Sequence, residues 1–278
     1  MNSTMATQTA AIIVDTFREA FARKIFWGLF VLSSLMILFF LFLMRIDIVE
    51  GAMATISLFG MRSGGQVDVA RVVKQTEAAI STFLYTWGMF LAVFASAGLI
   101  PSVMEPGRIE LLLSKPVSRT HLLLGRYAGN LLVVGTNVAY LVLGVWLILA
   151  GKTGIWHPEF LVAIPTTVFL FAVLLSVVVL IGVLFESTAL AVMVPVGLMI
   201  ISPILAQSKV ANLLSSEFSR NLWKALYQVL PKVYDIGKLT LDYVMDRRVE
   251  SFSAVWSSAI FGIVILGAAI YIFEKKDF

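Results

Sequence analysis

Six long apolar stretches divide this chain, and polar segments of unequal length separate them. A helix needs about 20 apolar residues, each rising about 1.5 Å, to cross a bilayer core of about 30 Å. The pattern therefore predicts about six transmembrane helices. The stretches are 25–44, 80–101, 128–150, 160–185, 189–206 and 252–273. The fifth contains Pro195 and Pro203, so we expect it to be kinked or broken.

The composition agrees with a membrane protein. Of the 278 residues, 59% are hydrophobic and 14% are charged, whereas a soluble domain carries roughly 25% charged residues. The predicted fold class is an all-α polytopic integral membrane protein in which residues 1–278 form a single domain. The chain has no cysteine, which excludes disulfides and cysteine-ligated metals. A net charge of +4 without a basic run gives no indication of nucleic-acid binding.

The segment 11–24, before the first apolar stretch, predicts an amphipathic helix in the membrane interface. Ile13, Phe17 and Phe21 repeat at helical spacing on one side, and charged residues such as Arg18 lie on the other. The alternative interpretation is a cytosolic extension of the first span.

Basic pairs close to two span ends favour cytoplasmic termini. Arg23 and Lys24 precede the first span, and Lys275 and Lys276 follow the last. Since basic residues near span ends remain on the cytoplasmic side, both termini are expected there. An even number of spans then places the segment 102–127 in the cytoplasm as well.

This cytoplasmic segment predicts a compact helix–turn–helix at the membrane face. Pro106 and Gly107 end the second span. A short helix over 108–114 follows, and Ser118 is a candidate N-cap for a helix that leads into the third span. Charged side chains on such a unit suit the docking of a soluble partner, whereas an ordinary solvated loop is the alternative.

The run from Glu105 to Tyr127 resembles the segment between the second and third spans of ABC-2 type permeases. Two departures are that one residue separates Glu105 from Gly107 and that Arg108 stands where threonine is usual. The likeness extends loosely to the amphipathic lead, the six spans and the Leu-Pro turn within 226–237. The matching positions are Glu105, Gly107, Glu110, Leu111, Leu112, Leu113, Ser114, Pro116, Val117, Ser118, Arg119, Leu124, Gly125 and Arg126.

The resemblance implies that the chain is the permease subunit of an ABC transporter, with an ATPase on a separate chain. The expected assembly has two permease copies and two ATPase copies in a bacterial inner membrane, and most relatives export their cargo. ATP and magnesium would bind the ATPase, so this chain is expected to hold no cofactor and not to be an enzyme by itself. The candidate ATPase-coupling residues are Glu105, Gly107, Arg108, Glu110, Ser114, Pro116, Ser118, Arg119 and Gly125.

Polar residues on the third span are candidates for a transport pathway. Asn130 and Asn137 are seven positions apart and share a helix face, with Tyr140 close by. They either line a pathway or hydrogen-bond between helices. His121 and His157 lack a second ligand at metal-binding spacing, so the sequence predicts no metal site.

Three other functions are possible. A secondary transporter usually keeps a charged group within its spans, and the predicted spans hold essentially none. An intramembrane enzyme would need paired aspartates, a serine–histidine pair or a histidine-rich motif on the spans, and the sequence shows none of them. A membrane anchor for another complex, without transport, is the third alternative.

Overall fold

The computed structural model describes residues 24–50, 53–58, 61–62, 67–98, 101, 118–207, 210, 216–249 and 251–276. Within these ranges, five helices are long and apolar enough to cross a membrane. They are Val69–Ala97, Arg119–Thr153, Pro158–Phe185, Thr188–Leu205 and Ser253–Lys275. A shorter apolar helix, Trp27–Phe42, occupies the first predicted span. The all-α polytopic fold class is therefore confirmed, whereas the predicted interfacial helix over 11–24 lies, except for Lys24, outside the described residues.

A small antiparallel sheet follows the first helix. Helix α1 (Lys24–Leu38) continues as a π-helical turn over Phe39–Leu43. The sheet connects α1 to the next helix, and strand β2 pairs with each of the other three strands. The strands are β1 (Met44–Glu50), β2 (Met53–Leu58), β3 (Met61–Arg62) and β4 (Val67–Asp68). Hydropathy predicts only a polar connection for this region, although apolar and polar residues alternate along β1 with the period of a strand.

Helix α2 (Val69–Ala97) begins well before the predicted second span. The Asp68 side chain caps it by accepting a hydrogen bond from the Ala70 N–H at 3.0 Å. A π-helical turn over Leu84–Gly88 interrupts α2 near its middle. Glu77, which the hydropathy pattern leaves outside the span, therefore lies within this helix.

Helix α3 (Arg119–Thr153) is a single helix of 35 residues. Ser118 caps its start, as the sequence predicts, and Gly154 ends it with a left-handed backbone (φ 71°). Arg126 is buried on this helix. Glu77 and Arg126 lie just outside the predicted spans 80–101 and 128–150, so these two helices carry buried ionisable side chains beyond the predicted span ends.

Helix α4 (Ala163–Phe185) lies at the centre of the bundle. A 3₁₀ turn over Pro158–Val162 precedes it, and every residue from Val173 to Val179 is buried. A helix buried all around its circumference must be surrounded by other helices. Accordingly, α4 packs against α2, α3 and the two membrane helices that follow it in the chain.

The remaining helices are α5 (Thr188–Leu205), α6 (Glu217–Val229), α7 (Val233–Val244) and α8 (Ser253–Lys275). Helix α5 runs through Pro195 and Pro203 without the predicted break, because neighbouring groups can satisfy the carbonyls that proline frees in a membrane helix. Helix α6 has no buried residue, and its apolar side includes Phe218, which is 75% exposed. That exposure suits a helix lying on a membrane surface.

Contacts between helix ends define two opposite faces of the bundle. On one, called the Arg119 face, the start of α3 meets the end of α8. On the other, called the His157 face, the start of α2 meets the connection between α3 and α4. Lys152, near the end of α3, donates to the carbonyls of Phe40 and Leu41 at 2.7 Å each. The end of α1 is therefore on the His157 face. The start of α1 then lies toward the Arg119 face, as does the end of α8.

Candidate functional site

The start of α3 is hydrogen-bonded to the end of α8 on the Arg119 face. Nη1 of Arg119 donates to the Glu274 carbonyl at 3.2 Å and also to the Lys276 carbonyl. The Thr120 hydroxyl donates to the Glu274 carboxylate. These bonds satisfy carbonyl groups that the last turn of a helix leaves without helical partners.

Lys276 extends this network to α4. Its Nζ donates to the Val183 carbonyl at 2.7 Å and pairs with the Glu186 carboxylate at 2.5 Å. Glu186 ends α4 in a left-handed backbone conformation (φ 52°). One set of polar contacts thus joins α3, α4 and α8, and α3 begins at Arg119, within the predicted coupling segment 102–127.

Most of the predicted coupling residues lie outside the described part of the chain. Three others are described: Ser118 accepts a hydrogen bond from the His121 N–H at 3.3 Å, Arg119 binds α8, and Gly125 is buried on α3. Arg119 therefore has an intramolecular role that the sequence does not predict. The residues outside the described ranges are Glu105, Gly107, Arg108, Glu110, Ser114 and Pro116.

An apolar pocket lies between α1, α2, α3 and α4. Its lining is almost entirely aliphatic and aromatic, with polar side chains from Ser33, Asn137 and Thr167. The π-helical turn of α2 contributes Leu84 and Gly88 to the wall. Such turns are frequent at functional sites because they locally widen a helix. This pocket is the candidate position for cargo within one copy of the chain.

The three predicted pathway residues occupy different positions. The Ser33 hydroxyl donates to Oδ1 of Asn137 at 2.9 Å, which connects α1 to α3 across the pocket wall. Asn130 is buried outside the pocket lining, and Tyr140 is partly exposed with its hydroxyl 3.2 Å from the Ser34 hydroxyl. The amide nitrogens of both asparagines have no hydrogen-bond partner among the described residues. Asn137 thus both bonds between helices and faces the pocket.

A group of ionisable side chains, here called the His157 cluster, lies on the opposite face. It consists of Lys74, Glu77, His157, Glu159 and Asp246. Nδ1 of His157 is 2.6 Å from Oε2 of Glu77, a carboxylate that is 1% exposed. Nε2 of His157 is 3.4 Å from Oε2 of Glu159 and 3.6 Å from Oδ1 of Asp246. Lys74 donates to the other carboxylate oxygen of Asp246.

Backbone contacts hold the histidine in place. The Trp146 indole N–H donates to the His157 carbonyl at 3.0 Å, and Phe160, in the 3₁₀ turn that follows, is completely buried. The hydrogen bond from Lys74 holds the pKa of Asp246 below its ordinary value, so this carboxylate stays ionised. A fixed imidazole therefore faces anionic oxygen in the cluster.

Spacing along the chain does not predict the His157 cluster. Glu77 precedes His157 by 80 positions, and Asp246 belongs to the turn after α7. The local signal is Glu159, two residues after His157 across Pro158. The packing of α2, α7 and the connection between α3 and α4 brings these residues together.

Comparison with known proteins gives one family. The family model described as ABC-2 family transporter protein matches residues 10–278. That match includes every described helix and the segment 102–117. No curated protein matches the chain at a significant level.

Proposed function

The chain belongs to the ABC-2 family of transporter proteins, and we propose that it couples ATP hydrolysis by a separate cytosolic ATPase to export across a bacterial inner membrane. It is an integral membrane protein and the permease component of an ABC transporter. The proposed complex contains two permease copies and two ATPase copies, with ATP and magnesium on the ATPase subunits and both termini of the permease in the cytoplasm.

The observation that carries this proposal is the network on the Arg119 face. The proposed ATPase contact, residues 108–119 of the segment 102–127, ends where α3 begins, and the start of α3 is bound to α8 through Arg119. Lys276 continues the connection to α4. A displacement of the segment would therefore move three membrane helices together, which is the kind of rigid-body transition that couples distant sites.

The pocket between α1 and α4 is the proposed entry of cargo into the pathway. Asn137 supplies an amide to an otherwise apolar wall. A few polar groups in an apolar cavity fix the orientation of a bound molecule. We therefore propose Asn137 as a pathway residue, with Asn130 and Tyr140 nearby on the same helix.

The coupling proposal is tested by co-expressing the chain with candidate cassette ATPases of the same genome and purifying the complex from membranes. We expect a stable complex that hydrolyses ATP, whereas the chain alone does not. Failure to bind any cassette ATPase would contradict the proposal. If an ATPase binds the chain but hydrolyses ATP at the same rate with and without it, that result would contradict coupling.

A charge-reversal variant tests where the ATPase binds on this chain. Glu110→Lys should weaken ATPase binding or the stimulation of hydrolysis without lowering membrane insertion. Arg71→Glu is the matched control, because Arg71 is exposed near the start of α2 on the other face. An equal effect of both variants would contradict the assignment of the ATPase contact to residues 108–119.

A further inference from the structure

His157 presents a ring nitrogen to two carboxylates at distances beyond the usual range of a hydrogen bond. The residue is 7% exposed, and its Nε2 atom has no hydrogen-bond partner among the described residues. A buried polar atom without a partner is uncommon and calls for an explanation such as an ion. Here the atom points at Glu159 and Asp246, whose oxygens lie 3.4 Å and 3.6 Å away.

Glu77 is placed to orient His157 as a metal ligand. Oε2 of its carboxylate is 2.6 Å from Nδ1. When an ion is bound, Nδ1 donates to this oxygen and Nε2, the atom that faces the two other carboxylates, supplies the lone pair. Histidines that bind metals commonly have such a carboxylate partner, which fixes both the tautomer and the orientation of the ring.

The distances fit a small divalent ion. Bonds of about 2.0–2.1 Å from zinc to nitrogen and oxygen place neighbouring ligands of a tetrahedral site about 3.4 Å apart. The separations from Nε2 to Oε2 and Oδ1 are 3.4 Å and 3.6 Å, and the three ligand atoms lie within 4.8 Å of one another. The ligands therefore need only a small movement of the Glu159 and Asp246 side chains to meet at one ion.

Lys74 occupies a position compatible with an ion. It donates to Oδ2 of Asp246, whereas Oδ1 faces His157. The lysine can thus stay bound to the carboxylate as an outer-shell partner while Oδ1 binds the ion. Ligating carboxylates are usually hydrogen-bonded in this way.

From this arrangement, we propose that His157, Glu159 and Asp246 bind one divalent transition-metal ion on the His157 face, with Glu77 orienting the histidine. One imidazole and two carboxylates suit zinc or manganese more than copper(I), which prefers sulfur ligands. Calcium is less suited because it takes six to eight oxygen ligands. Three protein ligands leave a position for water or for a group of another molecule.

The chain offers an internally controlled test, because it contains two histidines. The full chain, purified in detergent without a polyhistidine tag and freed of metal with a chelator, is labelled with ¹⁵N-histidine and titrated with ZnCl₂. We expect one zinc ion per chain by calorimetry and a shift of the Nε2 resonance of His157, with Nδ1 still protonated. The resonances of His121, on the opposite face, should not move.

Three variants complete the experiment. His157→Ala should weaken zinc binding by more than about 100-fold, above the range usual for loss of an outer-shell partner. Glu159→Gln should weaken it at least about tenfold while leaving thermal unfolding of the metal-free protein unchanged, because Glu159 is partly exposed. His121→Ala should bind zinc like the original chain.

Zinc binding that survives His157→Ala would overturn the proposal. So would the absence of binding at 100 µM ZnCl₂ in a chain with the expected helical content. A histidine whose two ring nitrogens are both protonated at neutral pH would show that the cluster is an ion-pair network without a metal, and would also overturn it. None of these results depends on ATPase coupling, so the proposed transport function is tested separately.

Discussion

Glu77 and His157 are separated by 80 positions, yet Oε2 of the first lies 2.6 Å from Nδ1 of the second. The contact joins α2 to the connection between α3 and α4. Because Glu77 is buried and His157 nearly so, each depends on the other to satisfy its polar atoms. The pair therefore stabilises the His157 face whether or not an ion is present.

Replacing Glu77 with alanine should destabilise the metal-free protein by about 1–3 kcal/mol, because a buried ring nitrogen of His157 loses its hydrogen-bond partner. Unfolding in mixed micelles with increasing SDS measures this change. Glu77→Gln should cost much less, since the amide oxygen can accept the same hydrogen bond. Equal losses in the two variants would show that packing, and not the hydrogen bond, determines the effect.

Arg119→Ala should lower the stability of the isolated chain by about 1 kcal/mol, because the variant loses hydrogen bonds from a charged donor to the end of α8. The measurement is unfolding without any ATPase present. Arg71→Ala, an exposed arginine of α2, should change stability by less than about 0.5 kcal/mol. If Arg119 acts only through an ATPase, the isolated variant will be as stable as the original chain.

Gly237→Ala should be destabilising because α7 approaches Tyr85 closely at this position. A Cβ atom on Gly237 would lie 2.1 Å from Cζ of Tyr85. Overpacking of this kind costs about 1–3 kcal/mol, which exceeds the helix-propensity gain of about 1 kcal/mol. Gly151→Ala, where nothing lies within 4 Å, should instead be neutral or stabilising.

A second substitution distinguishes this clash from other effects. Tyr85→Leu shortens the side chain, so the double variant with Gly237→Ala should recover most of the lost stability. Thermal unfolding of the four proteins gives the coupling directly. Additive losses would exclude contact between Gly237 and Tyr85 as the cause.

Ser33 and Asn137 should show a measurable coupling in a double-mutant cycle of alanine variants. Their hydrogen bond lies between α1 and α3, and bonds of this kind between membrane helices contribute about 0.6 kcal/mol on average and up to about 1.7 kcal/mol. The cycle of Ser33→Ala with Tyr140→Phe is the control, because no hydrogen bond joins that pair among the described contacts. A coupling no larger than in the control would contradict the bond.

Hydropathy predicts which segments of this chain form membrane helices more accurately than it predicts where those helices begin and end. The apolar stretches locate α3, α4, α5 and α8, because lipid forces each crossing segment to be long and apolar. The start of α2 was missed because the helix continues through Arg71, Lys74 and Glu77, residues that lower a hydropathy average. Glu77 is accommodated by its contact with His157, and Lys74 by its contact with Asp246, and hydropathy does not represent such contacts.

The features of the candidate sites also divide into those that nearby residues determine, which the sequence predicts, and those that helix packing determines, which it does not. Ser118 was predictable as a helix cap because capping depends on residues within one turn. The contact of Arg119 with α8 and the meeting of His157 with Glu77 and Asp246 depend on how distant helices pack. No spacing rule within a single sequence contains that information.

The length of α3 determines where the His157 cluster lies relative to lipid. Its 35 residues extend about 52 Å, whereas the 23 residues of α8 extend about 34 Å, at 1.5 Å per residue. Arg119 holds the start of α3 level with the end of α8, so α3 extends about 18 Å past the other end of α8. Its final turns then stand clear of a hydrocarbon layer about 30 Å thick. An ion bound by His157 would exchange with the surrounding water without entering the bilayer, and its occupancy would follow the free metal concentration on that side.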